Sequence, residues 1–192
     1  MANRYRRRGL DKTARRMVEF LESRGLAGAS VLEIGGGVGE IQLELLKRGA
    51  ARAVNLELSP AYDSEAMQLA REAGVEGRVE RRLHDIAAEP ATVEPVDVVV
   101  LHRVVCCYPD YERLLTAAGD HAGRMLVFSH PPRNAISRAL VGAQNLGFRL
   151  RRREFRTFAH PPAAMLAVLE RRGLKPTFAH SGVPWHVAGL ER

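Results

Sequence analysis

The chain has 192 residues, of which 46% are apolar and 27% are charged. This is the length of one globular domain, and the composition excludes a disordered, collagen-like or coiled-coil protein. No stretch approaches the ~18 consecutive apolar residues of a membrane helix, so we expect no membrane partner. The N-terminus lacks the pattern of a secretory signal, and the only cysteines, Cys106 and Cys107, are adjacent and cannot cross-link distant segments. These features predict a protein of a reducing compartment, the cytoplasm.

The net charge of +7 is concentrated in two short segments. Residues 1–16 carry a net charge of +6 and residues 149–156 a net charge of +4, so the rest of the chain is slightly acidic. A basic segment is usually a solvated surface, but the arginine fork also matches a carboxylate. We therefore treat 149–156 as a candidate clamp for an anionic ligand, and Arg6, Arg7 and Arg8 as a second candidate contact.

Strand and helix patterns alternate five times after an amphipathic helix predicted over 10–24. The predicted strands are the apolar or β-branched runs 31–34, 53–57, 78–83, 96–101 and 124–128. The intervening helices start after Gly39, at Ser59-Pro60 and near Asp110. Such alternation predicts a parallel sheet with helices on both faces, because each crossover is right-handed and covers the sheet.

The pattern changes after His130. We predict a helix over 134–146, then the basic stretch, then a helix over 162–172. The last predicted elements are two strands between residues 174 and 190, joined around Gly182-Val183-Pro184. So short a link predicts an antiparallel pair at the edge of the sheet.

A glycine-rich turn, Gly35-Gly36-Gly37-Val38-Gly39, separates the first strand from its helix. The dinucleotide pattern G-x-G-x-x-G would place Glu40 or Gln42 in its third glycine position. Both side chains are bulky, and a carboxylate at a helix N-terminus opposes a pyrophosphate. The turn therefore argues against a nicotinamide or flavin dinucleotide.

An acid followed by glycines at alternate positions, Glu33-x-Gly35-x-Gly37-x-Gly39, resembles the class I S-adenosylmethionine-dependent methyltransferases. Glu57 follows Gly39 by 18 residues at the tip of the second strand, where the family's acid binds the ribose hydroxyls. The resemblance also implies that an acid after strand three meets the adenine, and that the residue closing strand four lies beside the methyl group. The cofactor-binding residues that it implies are Glu33, Gly35, Gly36, Gly37, Gly39, Glu57, Leu58, Asp85, Ile86 and His102.

The fold implied by this resemblance is a three-layer Rossmann-like methyltransferase fold, with a mixed seven-stranded sheet and an antiparallel last strand. We expect residues 1–192 to form one domain. Within it, 1–28 would be a helical N-terminal extension and 134–158 a lid over the substrate.

The implied reaction is in-line transfer of a methyl group from S-adenosylmethionine, with S-adenosylhomocysteine as product. The chain has little room for a separate recognition domain, which favours a small-molecule nucleophile, possibly anionic, and favours O-methylation. His102, His130 and His160 are the candidate general bases, because a histidine can take a proton near neutral pH. No metal-ligand spacing is present, so no metal is expected.

Three other functions stay open on the sequence alone. An RNA-directed methyltransferase would use the two basic segments, although nucleic acid is the less favoured partner. A nicotinamide enzyme would have to tolerate a bulky third glycine position. A non-catalytic protein would bind the cofactor without turnover, and the sequence does not address the oligomeric state.

Overall fold

The computed structural model describes residues 1–152 and 155–192. Arg153 and Glu154, part of the predicted clamp and lid, lie outside the described residues. The strands are β1 (Ser30–Ile34), β2 (Arg52–Glu57), β3 (Val79–Leu83), β4 (Val96–Leu101), β5 (Ala122–His130), β6 (Lys175–Ser181) and β7 (His186–Glu191). The helices are α1 (Ala2–Arg8), α2 (Lys12–Ser23), α3 (Glu40–Lys47), α4 (Asp63–Glu72), α5 (Tyr111–His121), α6 (Ala135–Leu150) and α7 (Pro162–Glu170).

All seven strands form one sheet in the order β3-β2-β1-β4-β5-β7-β6. The pairs from β3 to β5 are parallel, whereas β7 is antiparallel to both β5 and β6. The predicted α/β class, with a mixed seven-stranded sheet and an antiparallel last strand, is confirmed.

The N-terminus differs from the prediction of a single helix over 10–24. Two helices are present, and they meet at Gly9, whose backbone is left-handed (φ 66°). Asp11 then caps α2, because its Oδ1 accepts the Ala14 N–H at 2.9 Å. An aspartate in this position satisfies one of the free N–H groups of a helix start, so α2 begins two residues later than predicted.

Two apolar clusters cover the two faces of the sheet. Along β4, Val98 and Val100 belong to the cluster that includes α2 and α3, whereas Val99 and Leu101 belong to the cluster that includes α5 and α7. This alternation follows from the two-residue period of a strand. It fixes the register and holds the carboxyl ends of β1, β2 and β4 side by side, where ligands bind in open α/β sheets.

Candidate functional site

A cavity of about 510 Å³ opens at the carboxyl ends of β1, β2 and β4. This volume lies within the roughly 300–1,000 Å³ of small-molecule sites. Seven residues predicted from the sequence line it: Gly35, Gly37, Glu57, Leu58, Asp85, Ile86 and His102. The topology therefore brings together residues that are far apart in the chain.

The glycine turn is shaped by close packing against the loop after β4. Gly35 has a left-handed backbone (φ 62°), and a Cβ there would lie 2.6 Å from Val104 Cγ2. Its N–H donates to Leu56 O at 2.7 Å, which ties the turn to the end of β2. A side chain at this position would displace Val104 from the cavity wall.

Glu57 holds the turn from the neighbouring strand. Its Oε2 accepts the Gly37 N–H at 2.8 Å, and its Oε1 accepts the N–H groups of Leu58 and Ser59 at 2.8 and 3.0 Å. A carboxylate offers about four acceptor sites, so this one retains room for a hydroxyl donor from the cavity. The Gly37 N–H, which a pyrophosphate would need, is already occupied by a carboxylate.

Glu33, Gly36 and Gly39 do not line the cavity, although the resemblance implies that they contact the cofactor. The Glu33 side chain is buried, and its Oε2 accepts the Gln42 N–H in the first turn of α3 at 3.1 Å. Burial raises the pKa of Glu33 to about 8. The structure thus gives Glu33 a role in closing the helix N-terminus, and its contact with a cofactor stays a prediction.

Asp85 and Tyr108 form the opposite wall. Asp85 Oδ1 accepts the Ala87 N–H at 3.0 Å, and Oδ2 accepts the Tyr108 hydroxyl at 2.9 Å. Burial and this hydrogen bond raise the pKa of Tyr108 to about 12. Together with the exposed Leu58 and the buried Ile86, they give an apolar slot with a carboxylate at its rim.

Asp11 and Arg103 meet at the mouth of the cavity, although 92 residues separate them in the chain. Asp11 Oδ2 accepts from Arg103 Nη2 at 2.6 Å and from Arg4 Nη1 at 3.4 Å. Burial raises the pKa of Asp11, but the interactions with His102, the Ala14 N–H and Arg103 outweigh it and hold the pKa well below its ordinary value.

His102 lies in the same cluster. Its Nδ1 is 3.1 Å from Ser129 Oγ, which also accepts the Arg103 N–H at 2.9 Å. Its Nε2 is 3.7 Å from Asp11 Oδ2 and has no hydrogen-bond partner among the described residues. A buried ring nitrogen without a partner at a cavity wall is a natural contact for a ligand.

Arg103 is held in an uncommon conformation. Its backbone is left-handed (φ 60°), and its guanidinium lies 5.2 Å from the centre of the Trp185 ring. Such a conformation in a residue with a large side chain requires support from its surroundings. The support here comes from the N-terminus through Asp11 and from the β6–β7 link through Trp185.

Asp11 and Trp185 were not predicted as site residues, and Arg103 was predicted only as a neighbour of His102. The pattern Asp11-Lys12-Thr13-Ala14 is a helix start, and this signal would have placed an acid at position 11 outside the helix. No sequence signal indicates that this acid reaches the end of β4.

The other two candidate histidines lie elsewhere. His130 is buried, its Nδ1–H donates to Pro131 O at 3.0 Å, and it lines neither this cavity nor the next. Burial lowers its pKa. His160 donates to Tyr108 O at 3.0 Å and packs between Phe158 and Tyr111. Burial lowers the pKa of His160 as well, so its imidazole is neutral at neutral pH.

His160 also lines a second cavity of about 350 Å³. Arg133 and Arg138 project from the start of α6 into its lining. Neither guanidinium has an ion-pair partner within 1–152 and 155–192. The cavity therefore presents two unpaired positive charges and a neutral imidazole.

Of the two cysteines, Cys106 lacks the environment of a covalent nucleophile, whereas Cys107 lines the first cavity and its pKa is lowered by the hydrogen bond with Cys106. Cys106 and Cys107 have their sulfur atoms 3.5 Å apart. The hydrogen bond between them and burial raise the pKa of Cys106, which keeps that thiol protonated. No group of three or more metal-ligating side chains occurs among the described residues.

Residues 31–122 match the family model of the methyltransferase domain. The ribosomal protein L11 methyltransferase of Edwardsiella ictaluri (strain 93-146) is 34% identical over 121 residues, which are 58% of this chain and 40% of that protein. The corresponding protein of Aeromonas salmonicida (strain A449) is 34% identical over 92 residues, 48% of this chain and 30% of that protein. The chain thus spans less than half of these curated relatives.

The structure of magnesium protoporphyrin IX methyltransferase from Synechocystis PCC 6803 with bound S-adenosylhomocysteine superposes with a TM-score of 0.77. The match is 22% identical in sequence and covers 94% of this chain and 82% of that one. A second structure of the same enzyme contains S-adenosylmethionine. These matches establish a shared fold.

Among the described residues, none of the helices combines the length and the apolar character needed to cross a bilayer.

The family match runs from β1 to the first residue of β5 and includes the acids at the ends of β2 and β3. Residues 31–122 therefore match a methyltransferase domain, and the chain shares the Rossmann-like fold of magnesium protoporphyrin IX methyltransferase.

Proposed function

We propose that the first cavity binds S-adenosylmethionine and that the chain transfers its methyl group to a small-molecule nucleophile, with O-methylation favoured. The observation that carries the proposal is the Glu57 carboxylate on the Gly37 N–H. This contact supports the proposal because it occupies a backbone N–H that a pyrophosphate would need and leaves the carboxylate able to accept a hydroxyl. The residues present fit an uncharged ribose and exclude a pyrophosphate from the turn.

The chain's own residues have separable roles in this proposal. Glu57 would accept a ribose hydroxyl, while Leu58, Ile86 and Asp85 would hold the adenine. His102 and Arg103, at the end of β4, would lie beside the reacting centre. When bound, the cofactor supplies an electrophilic methyl group on a sulfonium. Holding the nucleophile in line with it accounts for much of such catalysis.

The second cavity is the proposed site for an anionic part of the acceptor. Arg133 and Arg138 match a carboxylate, and their charges are not neutralised by nearby acids. His160 lines the same cavity, whereas His102 lines the first cavity; both stay candidates to take a proton from an acidic acceptor. In this proposal the segment 134–158 acts as a lid through α6, which forms one side of this cavity.

An RNA-directed activity is the second candidate, favoured by Arg149, Arg151 and Arg152, which form no ion pair with the described residues. The N-terminal basic segment supports it less, because Arg4 and Arg6 are engaged with acids of the same chain. Affinity for RNA that falls steeply with salt would favour this candidate. A cofactor-binding protein without turnover is the third.

The test of cofactor binding is calorimetric titration with S-adenosylhomocysteine. Glu57→Gln should weaken binding about 10- to 100-fold, because a charge-assisted hydrogen bond is worth ~1–3 kcal/mol. Glu80→Gln, on the exposed side of β3, is the control and should leave affinity unchanged. Since Glu57 also holds three backbone N–H groups, both variants are compared with wild type by thermal unfolding. Unchanged affinity in a folded Glu57→Gln, or tight binding of NADH, would refute the proposal.

The acceptor site is tested by following S-adenosylhomocysteine release with a panel of small carboxylic acids and phenols. For an anionic acceptor, Arg138→Gln should raise KM about tenfold with little change in kcat, because a bidentate contact to a charged group is lost. Arg52→Gln, an exposed arginine on β2, is the matched control. A preference for neutral acceptors, or an unchanged KM, would contradict the anionic site.

A further inference from the structure

Helix α6 turns an apolar face to solvent. Ala139, Ala143, Leu146 and Leu150 recur at i, i+4, i+7 and i+11, and all four are exposed. Leu146 is 57% exposed and Leu150 is 77% exposed. Leu140, 66% exposed, widens the same stripe. A surface helix normally buries its apolar stripe, so this face lacks its partner.

The opposite face of α6 packs on the protein. Asn145 Nδ2 donates to Thr157 O at 2.8 Å, and Asn145 Oδ1 accepts the Thr157 N–H at 2.9 Å. The Phe148 ring contacts Phe155 edge-on. Arg138 and Val141, which line the second cavity, also lie away from Leu146 and Leu150. The exposed leucines line neither cavity, so a bound cofactor or acceptor does not cover them.

The charged residues of α6 and of the two positions that follow it are all arginines. No aspartate or glutamate occurs between Asp120 and Glu154. Arg149, Arg151 and Arg152, at the carboxyl end of α6, are exposed and form no ion pair with any residue that the structure describes. Pairing this face with the same face of a second copy would bring two such arginine clusters together. The charge pattern favours an anionic partner instead.

We propose that α6 lies on the surface of an anionic phospholipid bilayer, with its leucines among the acyl chains and its arginines at the headgroups. An interfacial helix of this kind combines an apolar face with arginine or lysine beside it, and its affinity has an apolar and an electrostatic component. Arginines also extend their aliphatic stems over apolar surface while keeping the charge in water. This inference is independent of the proposed reaction and differs from the expectation of no membrane partner, which rested on spanning helices.

Co-sedimentation of the full chain with vesicles tests this. Binding is expected to phosphatidylcholine vesicles containing roughly a third of phosphatidylglycerol, and not to pure phosphatidylcholine. Leu146→Gln should lower the partition coefficient about tenfold, because one buried leucine is lost from the interface. Leu83→Gln, on β3, is the matched control, since Leu83 is 56% exposed and belongs to neither cavity.

A double arginine variant tests the electrostatic component of vesicle binding. Arg149→Gln with Arg152→Gln should lower binding roughly fivefold per arginine and reduce its salt dependence, whereas Arg52→Gln on β2 should not. All these positions are exposed, so each variant is expected to fold, as thermal unfolding will confirm.

Four results would overturn the proposal. They are absence of binding to anionic vesicles, equal binding to neutral ones, equal effects of Leu146→Gln and Leu83→Gln, or a concentration-dependent dimer in sedimentation that Leu146→Gln abolishes. Salt-sensitive binding to a single-stranded RNA oligonucleotide that is indifferent to Leu146→Gln, without vesicle binding, would assign the arginines to RNA.

Discussion

The two basic regions of the chain have similar compositions, and some arginines of the N-terminal region are paired with acids of the same chain. In the N-terminal region, Arg4 pairs with Glu40 and Asp11, and Arg6 forms a two-pronged pair with Glu72. In the region of α6 and the residues up to 152, five arginines, Arg133, Arg138, Arg149, Arg151 and Arg152, have no ion-pair partner in the part of the chain that the structure describes. Paired arginines hold an element on the fold, whereas unpaired arginines are available to a ligand or a surface.

The largest expected effect is a loss of free energy of unfolding when the paired Arg4 is replaced. Its partner Glu40 is buried at the start of α3; Glu40 Oε1 accepts from Arg4 Nη2 at 2.8 Å, and Glu40 Oε2 has no hydrogen bond among the described residues. Arg4→Gln leaves this charge without compensation and should lower the free energy of unfolding by ~2 kcal/mol, since a buried charge that loses its partner is costly. Urea denaturation with an unchanged m-value would measure it.

The matched change in the other region is Arg149→Gln. Because Arg149 is exposed and has no partner, this variant should unfold within about 0.5 kcal/mol of wild type. Equal losses for the two variants would break the distinction between the regions.

A smaller change in the free energy of unfolding is expected when the pH is lowered. Burial raises the pKa of Glu44, but hydrogen bonds from Tyr5, Arg48 and Lys47 outweigh it and lower the pKa to about 2. A pKa that folding lowers contributes stability above the unfolded value, near 4.5, and this is lost as the pH falls toward 2. Because Glu44 is partly exposed, we expect its carboxylate to contribute ~1 kcal/mol to the free energy of unfolding, less than the full pKa shift would give. Glu44→Gln should flatten the stability curve between these pH values.

Chemical denaturation from pH 7 to pH 2 would show this, with Glu19→Gln on the exposed side of α2 as the control. If the free energy of unfolding of Glu44→Gln depends on pH as steeply as that of wild type, this carboxylate does not hold Tyr5 and α1 in place.

The fold was largely predictable because local patterns determine it. The β-branched run 96–101 and the alternation of strand and helix lead directly to β4 and the parallel sheet. Glu57 and Asp85 were predictable because strand ends converge at one edge of such a sheet. The junction of Asp11, Arg103 and Trp185 was not, because it joins the N-terminus, the end of β4 and the β6–β7 link, and no local pattern encodes their contact.

The placement of Glu33 has a similar explanation. Alternation along β1 sends the side chains of Glu33 and Ile34 to opposite faces, and only Ile34 reaches the cavity. The sequence motif therefore identified the turn correctly, while the direction of each side chain depended on the pleat of the strand.

Trp185 is the single tryptophan of the chain, and its ring lies against the Arg103 guanidinium at the cavity mouth. Indole emission changes when a nearby charge moves or when water reaches the ring. The molecule therefore contains a built-in optical reporter, and the proposed binding of a nucleoside beside Arg103 should be measurable in a stopped-flow fluorimeter without any label.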